Sequence, residues 1–294
     1  MSLVVNHNLM AMNAARNLNA SYNKLATSTR RLSSGLRVDT AADDAAGLAI
    51  RELMRAEIAS MNQGVRNAND AISLIQTADG ALQVVDEKLI RMKELAEQAA
   101  TGTYDSTQRL MIESEYQQMA SEITRIANAT DFNNIKLLDG TLSGEHDGSQ
   151  LKSVGELKIH FGTGNDSAED YYYIKIGCCT ASALGVGNEA ALGPGHDIST
   201  QDNAQKALEA ITAAIVSKDN IRAHLGAMQN RLENTITNLS IQAENLQAAE
   251  SRISDVDVAT EMTNFVRNQI LTQAGVAMLG QANALPQMAM QLIG

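Results

Sequence analysis

The residues best suited to chemistry sit in the middle of the chain. Two cysteines are adjacent, Cys178 and Cys179, and His160 and His196 lie on either side of them. Thiolates and imidazoles are zinc ligands, so this quartet is the first candidate metal site. Its spacing does not fit, because zinc ligands come in closely spaced pairs. Packed or free thiols are the simpler reading, with a cross-link as the alternative. A disulfide within the pair itself would be strained. The acids Asp166, Glu169 and Asp170 have the ligand type of a calcium loop but not its spacing, and read as a solvated turn. His7, His146 and His224 are scattered, and no P-loop, G-x-S-x-G or H-E-x-x-H motif occurs. A Ser/His/Asp set drawn from distant positions leaves no such motif. The argument against an enzyme therefore comes from the elements, since helical rods offer few pockets. No catalytic, cofactor-binding or metal residue is assigned, and no cofactor is expected.

Those elements are legible in composition. Hydrophobic residues make up 44% of the 294 residues, but aromatics only 3%, and Trp is absent. Ala, Leu, Ile, Met, Asn and Gln take their place, which is the usage of long helices packed side by side. Pro194 and Pro286 are the only prolines, so long stretches carry no helix breaker. A pI near 4.9 argues against general nucleic-acid binding. Charge divides the chain into zones. Residues 1–38 carry Arg16, Lys24, Arg30, Arg31 and Arg37 but no acid, and no charged side chain follows Arg267. The uncharged end, "AGVAMLGQANALPQMAMQLIG", is interrupted by Asn and Gln, as is every other candidate membrane span. The N-terminal stretch lacks the basic region and unbroken apolar core of a cleavable signal, which leaves export by another route open.

Periodicity then places the helices. Val4, Ala11, Leu18, Leu25 and Leu32 fall seven residues apart, with Ala15, Tyr22 and Thr29 four after three of them. Leu271, Met278, Leu285 and Leu292 repeat in the same way, with Ala274, Gln281 and Met288 three after the first three. Two terminal heptad tracts suggest helices that pack on each other or on copies. The body predicts a helix from about 43 to 86, continuing to 100. A break follows at "TGTYDS", with Asp105 or Ser106 as N-cap, and then a helix over 107–129. A third tract covers about 200–253, with a possible break at 218–220. Between them, Leu157, Ile159 and Phe161 alternate, as do Tyr172, Ile174 and Ile176, which predicts a β-hairpin over about 155–177. The expected fold is mainly α: a long helical rod with terminal coiled-coil helices and a small mid-chain hairpin.

Several long motifs resemble one family. "LSSGLRVDTAADDAAGLAIRELMRAEI", "QTADGALQVVDEKLIRMKELAEQAA" and "ATDFNNIKLLDG" are similar to the N-terminal region of bacterial flagellin. "HLGAMQNRLENTITNLSIQAENLQAAESRISDVDVATEMTNFVRNQILTQAGVAMLGQANALPQ" is similar to its C-terminal region. The resemblance implies a short flagellin without large outer domains. Residues 1–42 and 255–294 would form the inner core layer, and 43–254 the rod, with the hairpin at its tip. It implies a homo-polymer, the hollow flagellar filament used for swimming. Subunits would be exported unfolded and added at the tip, with an export chaperone, a filament cap and a host flagellin-sensing Toll-like receptor as further partners. No nucleic acid or membrane partner is expected. The filament core interface would use Val4, Ala11, Leu18, Leu25, Leu32, Leu271, Met278, Leu285 and Leu292. The receptor patch, carried over by position, would be Arg91, Leu95 and Glu115; the family pattern often has Gln where this chain has Ile90. Tails too weakly apolar for a stable lone pair are expected to order on assembly. The rival readings are a hook–filament junction protein and a membrane-active helical protein.

Overall fold

The computed structural model of the chain describes residues 7–149, 155–188 and 194–293. Its elements in order are α1 (Leu9–Ser34), α2 (Ala45–Ala100), α3 (Ser106–Ala129), β1 (Asp131–Phe132), β2 (Ile135–Lys136), β3 (Leu157–His160), β4 (Tyr171–Ile174), α4 (Ala181–Leu184), α5 (Gln201–Ser254) and α6 (Val258–Ile293). Two compact units emerge: Met1–Ile58 with Glu244–Gly294, and Ala59–Ala243.

The second unit holds the apolar core. On α2, Ala78, Leu82, Val85, Leu89, Met92, Leu95, Ala96 and Ala99 are buried at three- and four-residue spacing, the stripe of an amphipathic helix. Tyr116, Ala120 and Ile123 of α3 and Ala204, Ala207, Ile211 and Ala214 of α5 close one cluster around it. The many alanines let these helices approach closely. A second cluster joins Ala68, Ala71, Leu74, Ile75, Ala78 and Leu82 of α2 to Leu225, Met228 and Leu232 of α5, with Leu137, Leu138, Leu142, Ile174, Ile176 and Cys179 laid over them. Asp105 caps α3, and the Gln108 side chain accepts its backbone N–H at 3.1 Å.

β3 and β4 pair antiparallel, Leu157 opposite Ile174 and His160 opposite Tyr171. The hairpin lies so close to α2 that a side chain at Gly64 would strike the carbonyl oxygen of Phe161. A second, shorter hairpin escapes the sequence reading: β1 and β2 turn through Asn133 and Asn134, both at positive φ (50° and 63°). Asn tolerates that left-handed region, as a tight primed turn requires. α5 runs unbroken through 218–220, where the sequence suggested a break. "SKDN" looked like a solvated interruption; instead Lys218 turns inward and is 1% exposed.

In the first unit α1 and α6 pair antiparallel. Arg31 lies near Glu261 at one end, Leu18 packs on Gly275 midway, and the Asn8 side chain donates to the Ala282 carbonyl at 2.7 Å at the other. Gly35, in the left-handed region at φ 73°, ends α1. The chain then bridges to the α5–α6 junction, where Arg37 N–H donates to Ser254 and Val256 N–H to Gly35.

Candidate functional site

The α1–α6 seam is built from an unusual set of residues. On α1, Ala11, Ala14, Leu18, Ser21, Leu25, Ser28 and Leu32 are half-buried or buried, a 3-4 heptad alternation. On α6 the matching positions are Glu261, Phe265, Asn268, Thr272, Gly275, Leu279 and Ala282. Leu18, Leu25 and Leu32 therefore occupy the seam as the repeat suggested. Their companions, however, lie three residues on, at Ala14, Ser21 and Ser28, while Tyr22 and Thr29 are exposed.

The C-terminal repeat lies elsewhere. Leu271 and Met278 are 49% and 63% exposed and take no part in the seam. They belong to an outward arc with Val258, Met262, Val266, Ile270, Val276 and Met288, all exposed. Val4 lies outside the described residues, as do the side chains of Leu285 and Leu292. α6 thus inverts the ordinary amphipathic helix: small and polar side chains meet its partner while large apolar ones face out. A helix apolar around its outer arc is one meant to be buried on more than one side. The signal was in the sequence, since Glu261, Asn268, Gly275 and Ala282 also fall seven apart.

At the base of α1 an ion cluster fixes the connector. Arg30 donates to both oxygens of Asp43 at 2.9 Å, and Arg31 lies 3.8 Å from Asp43 and 3.9 Å from Glu261. The Thr40 hydroxyl and amide, with the two guanidiniums, hold the Asp43 carboxyl below the usual range. Arg51, buried, donates to the Val38 carbonyl at 2.7 Å. The next residue after Asp43, Asp44, caps the start of α2 through the Gly47 N–H. "DDAAG" is therefore an ion anchor followed by a helix cap.

Of the three patch residues in the second unit, only two share a surface. Arg91 and Glu115 are exposed and joined across α2 and α3 by two bonds of 2.8–2.9 Å, and Arg91 also reaches Glu94 at 2.9 Å. Leu95 is 1% exposed and sits in the α2–α3–α5 core. It cannot act as an exposed apolar anchor. The reason is helical arithmetic: Leu95 lies on the stripe of Met92, Ala96 and Ala99, while Arg91 lies off it.

The cysteines are free, Cys178 half-buried and Cys179 buried. Burial pushes the Cys179 thiol up to about 12, with Cys178 adding to it. Among the described residues no group of three His, Cys, Asp or Glu side chains is placed to hold a metal ion. Nor is any helix there long and apolar enough to cross a membrane.

These surfaces define a helical protein built to associate through its terminal helices. Comparison with known proteins gives the family. The "Bacterial flagellin N-terminal helical region" matches residues 5–143, and the "Bacterial flagellin C-terminal helical region" matches residues 208–293. A flagellin of Halalkalibacterium halodurans is 45% identical over 99% of this chain and all of its own. A flagellin of Bacillus subtilis is 42% identical over 98% of this chain and 99% of its own. A solved structure described as a flagellar hook-associated protein of Vibrio parahaemolyticus shares the fold, with a TM-score of 0.56 and 15% identity over 72% of this chain and all of its own. The chain belongs to the bacterial flagellin family, a structural family of the flagellar filament.

Proposed function

We propose that this chain polymerises with copies of itself into the flagellar filament outside the cell, and that the terminal helices make the inner contacts. One observation carries the reading. In the first unit Val38 and Ala282 are the only buried apolar side chains among the described residues. The same unit buries Ser28, Arg51, Ser254, Glu261, Asn268 and Thr272 and leaves its larger apolar groups in water. Such a unit gains little from folding alone and much from stacking, because burial of exposed apolar area is what drives association. A head-to-tail filament supplies the faces on which these groups can be buried.

In this reading residues 1–42 and 255–294 form the inner layer, and 43–254 the rod around it. Leu18, Leu25 and Leu32 hold the subunit's own helix pair, while Leu271 and Met278 meet neighbouring copies. Subunits travel unfolded to the filament tip, an export chaperone covering the apolar tail beforehand and a cap receiving it afterwards. The exposed Arg91–Glu115 pair supports a role in recognition by the flagellin-sensing receptor, with Leu95 acting only from within the core. A hook-associated protein shares the fold, so fold alone does not separate the two; the 45% identity to a flagellin over the whole chain favours the filament.

The test is electron microscopy of purified protein under polymerising salt. Uniform helical filaments of flagellar width are expected. Persistent monomer with both tails intact would overturn the proposal, and binding to liposomes instead would favour a membrane-active protein.

A further inference from the structure

The outward surface of the first unit is rich in one reactive side chain. Met10 and Met12 on α1, and Met262, Met278 and Met288 on α6, are all exposed, from 45% at Met262 to 63% at Met278. None belongs to the α1–α6 seam, and their neighbours on the α6 arc are Val266, Ile270 and Leu271. Thioethers suit an adaptable packing surface, and they are also the apolar groups most easily oxidised.

We infer that these five methionines form an oxidation-sensitive switch on assembly: their conversion to sulfoxide leaves the subunit folded but blocks its polymerisation. This rests on the assembly role proposed above. The oxidant is a hydroperoxide. Each sulfur gives two electrons, an S–O bond forms, the peroxide O–O bond breaks, and with hydrogen peroxide the second oxygen leaves as water. The product is a polar group with a strong hydrogen-bond acceptor.

In the free subunit that oxygen points into water, so folding is unaffected. In the polymer it would face apolar side chains, and the helical backbone N–H groups nearby are already committed to their own carbonyls. An acceptor buried without a donor opposes the packed state alone. Sulfoxide therefore shifts the assembly equilibrium while the subunit's own stability stays constant. Thiol-dependent reduction restores the thioether and, with it, assembly. Because sulfoxides form as two epimers, both classes of methionine sulfoxide reductase are needed for full recovery.

The experiment treats purified monomer with graded hydrogen peroxide, locates each oxidised methionine by peptide mass spectrometry, and measures the critical concentration for polymerisation by sedimentation. Untreated protein must polymerise; its failure would count against the assembly role, not against the switch. Oxidation at the five positions is expected to raise the critical concentration at least tenfold with the thermal melting curve unchanged, and the two reductases together to reverse it. A variant with all five methionines replaced by Leu is expected to polymerise equally before and after peroxide. Unchanged polymerisation of fully oxidised wild type, or equal loss in the Leu variant, would overturn the inference. Should the Leu variant fail to assemble untreated, partly oxidised wild type is separated into pellet and supernatant. Sulfoxide at the five positions should be enriched in the supernatant and sulfoxide at Met111, 68% exposed in the other unit, should not. Equal enrichment at Met111 would overturn it.

Discussion

The ammonium of Lys218 on α5 lies 2.5 Å from the carboxylate of Asp86 on α2, and only 1% of that lysine meets solvent. Asp219, on the next residue, sits 2.7 Å from the same nitrogen. The pair joins two helices whose facing residues are otherwise alanines and aliphatics, and it lies between the two apolar clusters of the unit. Removing one partner of a buried pair costs more than removing both, since the survivor keeps its desolvation penalty. Asp86 retains 30% side-chain exposure, which softens that penalty. Lys218→Ala should therefore destabilise by about 2–3 kcal/mol. The double change Lys218→Met with Asp86→Leu should return to within about 1 kcal/mol of the parent. Urea unfolding of the four members of this cycle checks both figures.

Arg91 and Leu95 are one helical turn apart and should behave in opposite ways. Leu95→Ala opens a cavity in a core of fully buried neighbours and should cost about 3 kcal/mol. Arg91→Ala removes only exposed ion pairs and should cost less than about 1 kcal/mol. If receptor signalling depends on this patch, Arg91→Ala should lower it without moving the melting temperature. Any loss with Leu95→Ala should follow the fraction of protein unfolded. A signalling loss with Leu95→Ala in fully folded protein would show that the side chain reaches the surface in the complex.

The limits of sequence reading fall at particular residues. The long helices were legible because α2 and α5 contain no proline and keep one apolar stripe throughout. The hairpin at 155–177 was legible from strict alternation. Asn133-Asn134 was missed because the flanking strands have two residues each, too short to alternate. Lys218 was missed because a charge in "SKDN" looks solvated; nothing local marks it as inward-facing. The placement of Leu95 was available from spacing alone, and the family resemblance drew attention to its position rather than its helical face. On α6 the apolar heptad was real but belongs to the outer surface, while the seam is polar and small and leaves no hydrophobic signature.

Asp79 and Arg222 join α2 to α5 nearer the hairpin, at 2.7 Å, with both side chains about one-third exposed. The Arg222 hydrogen bond, helped by Gln83 and by the nearby charges of Arg222 and Lys218, holds the Asp79 carboxyl below its usual value. A folded-state pKa below the unfolded one stabilises the protein above the unfolded value of about 4. That stability is lost as pH falls through the depressed folded value. Asp79→Asn should therefore lower stability at neutral pH and flatten the decline below about pH 4. Melting temperatures of parent and variant between pH 7 and acid should converge; parallel curves would show that the pair does not couple to folding.

The two cysteines should separate in reactivity although they are adjacent. Cys179 is buried beneath the second apolar cluster with its thiol pushed up to about 12, so almost no thiolate exists at neutral pH. Cys178 is half-buried and lies beside the Thr180 hydroxyl at 3.3 Å. Titration of native protein at pH 8 with a thiol reagent should show one fast thiol, and two after denaturation. Cys178→Ser should abolish the fast phase, whereas Cys179→Ser should leave it and cost stability through its packing.

Truncation after Asp257 tests the division of labour between the two units. It removes α6, and with it the seam partner of α1 and the outward apolar arc. Both apolar clusters of the second unit are built from residues between Ala68 and Leu232, so none of their contacts is lost. The truncated chain should keep the cooperative melting transition of the second unit within a few degrees of the parent. It should lose the helical signal of α1 as well as α6, because half-buried Leu18, Leu25 and Leu32 have nothing else in the chain to pack on. A short, weakly apolar helix without a partner is unstable in water. Sedimentation under polymerising salt should then find it entirely soluble. Filaments from the truncated chain would mean that the second unit alone carries the assembly contacts and that the exposed arc of α6 serves another purpose.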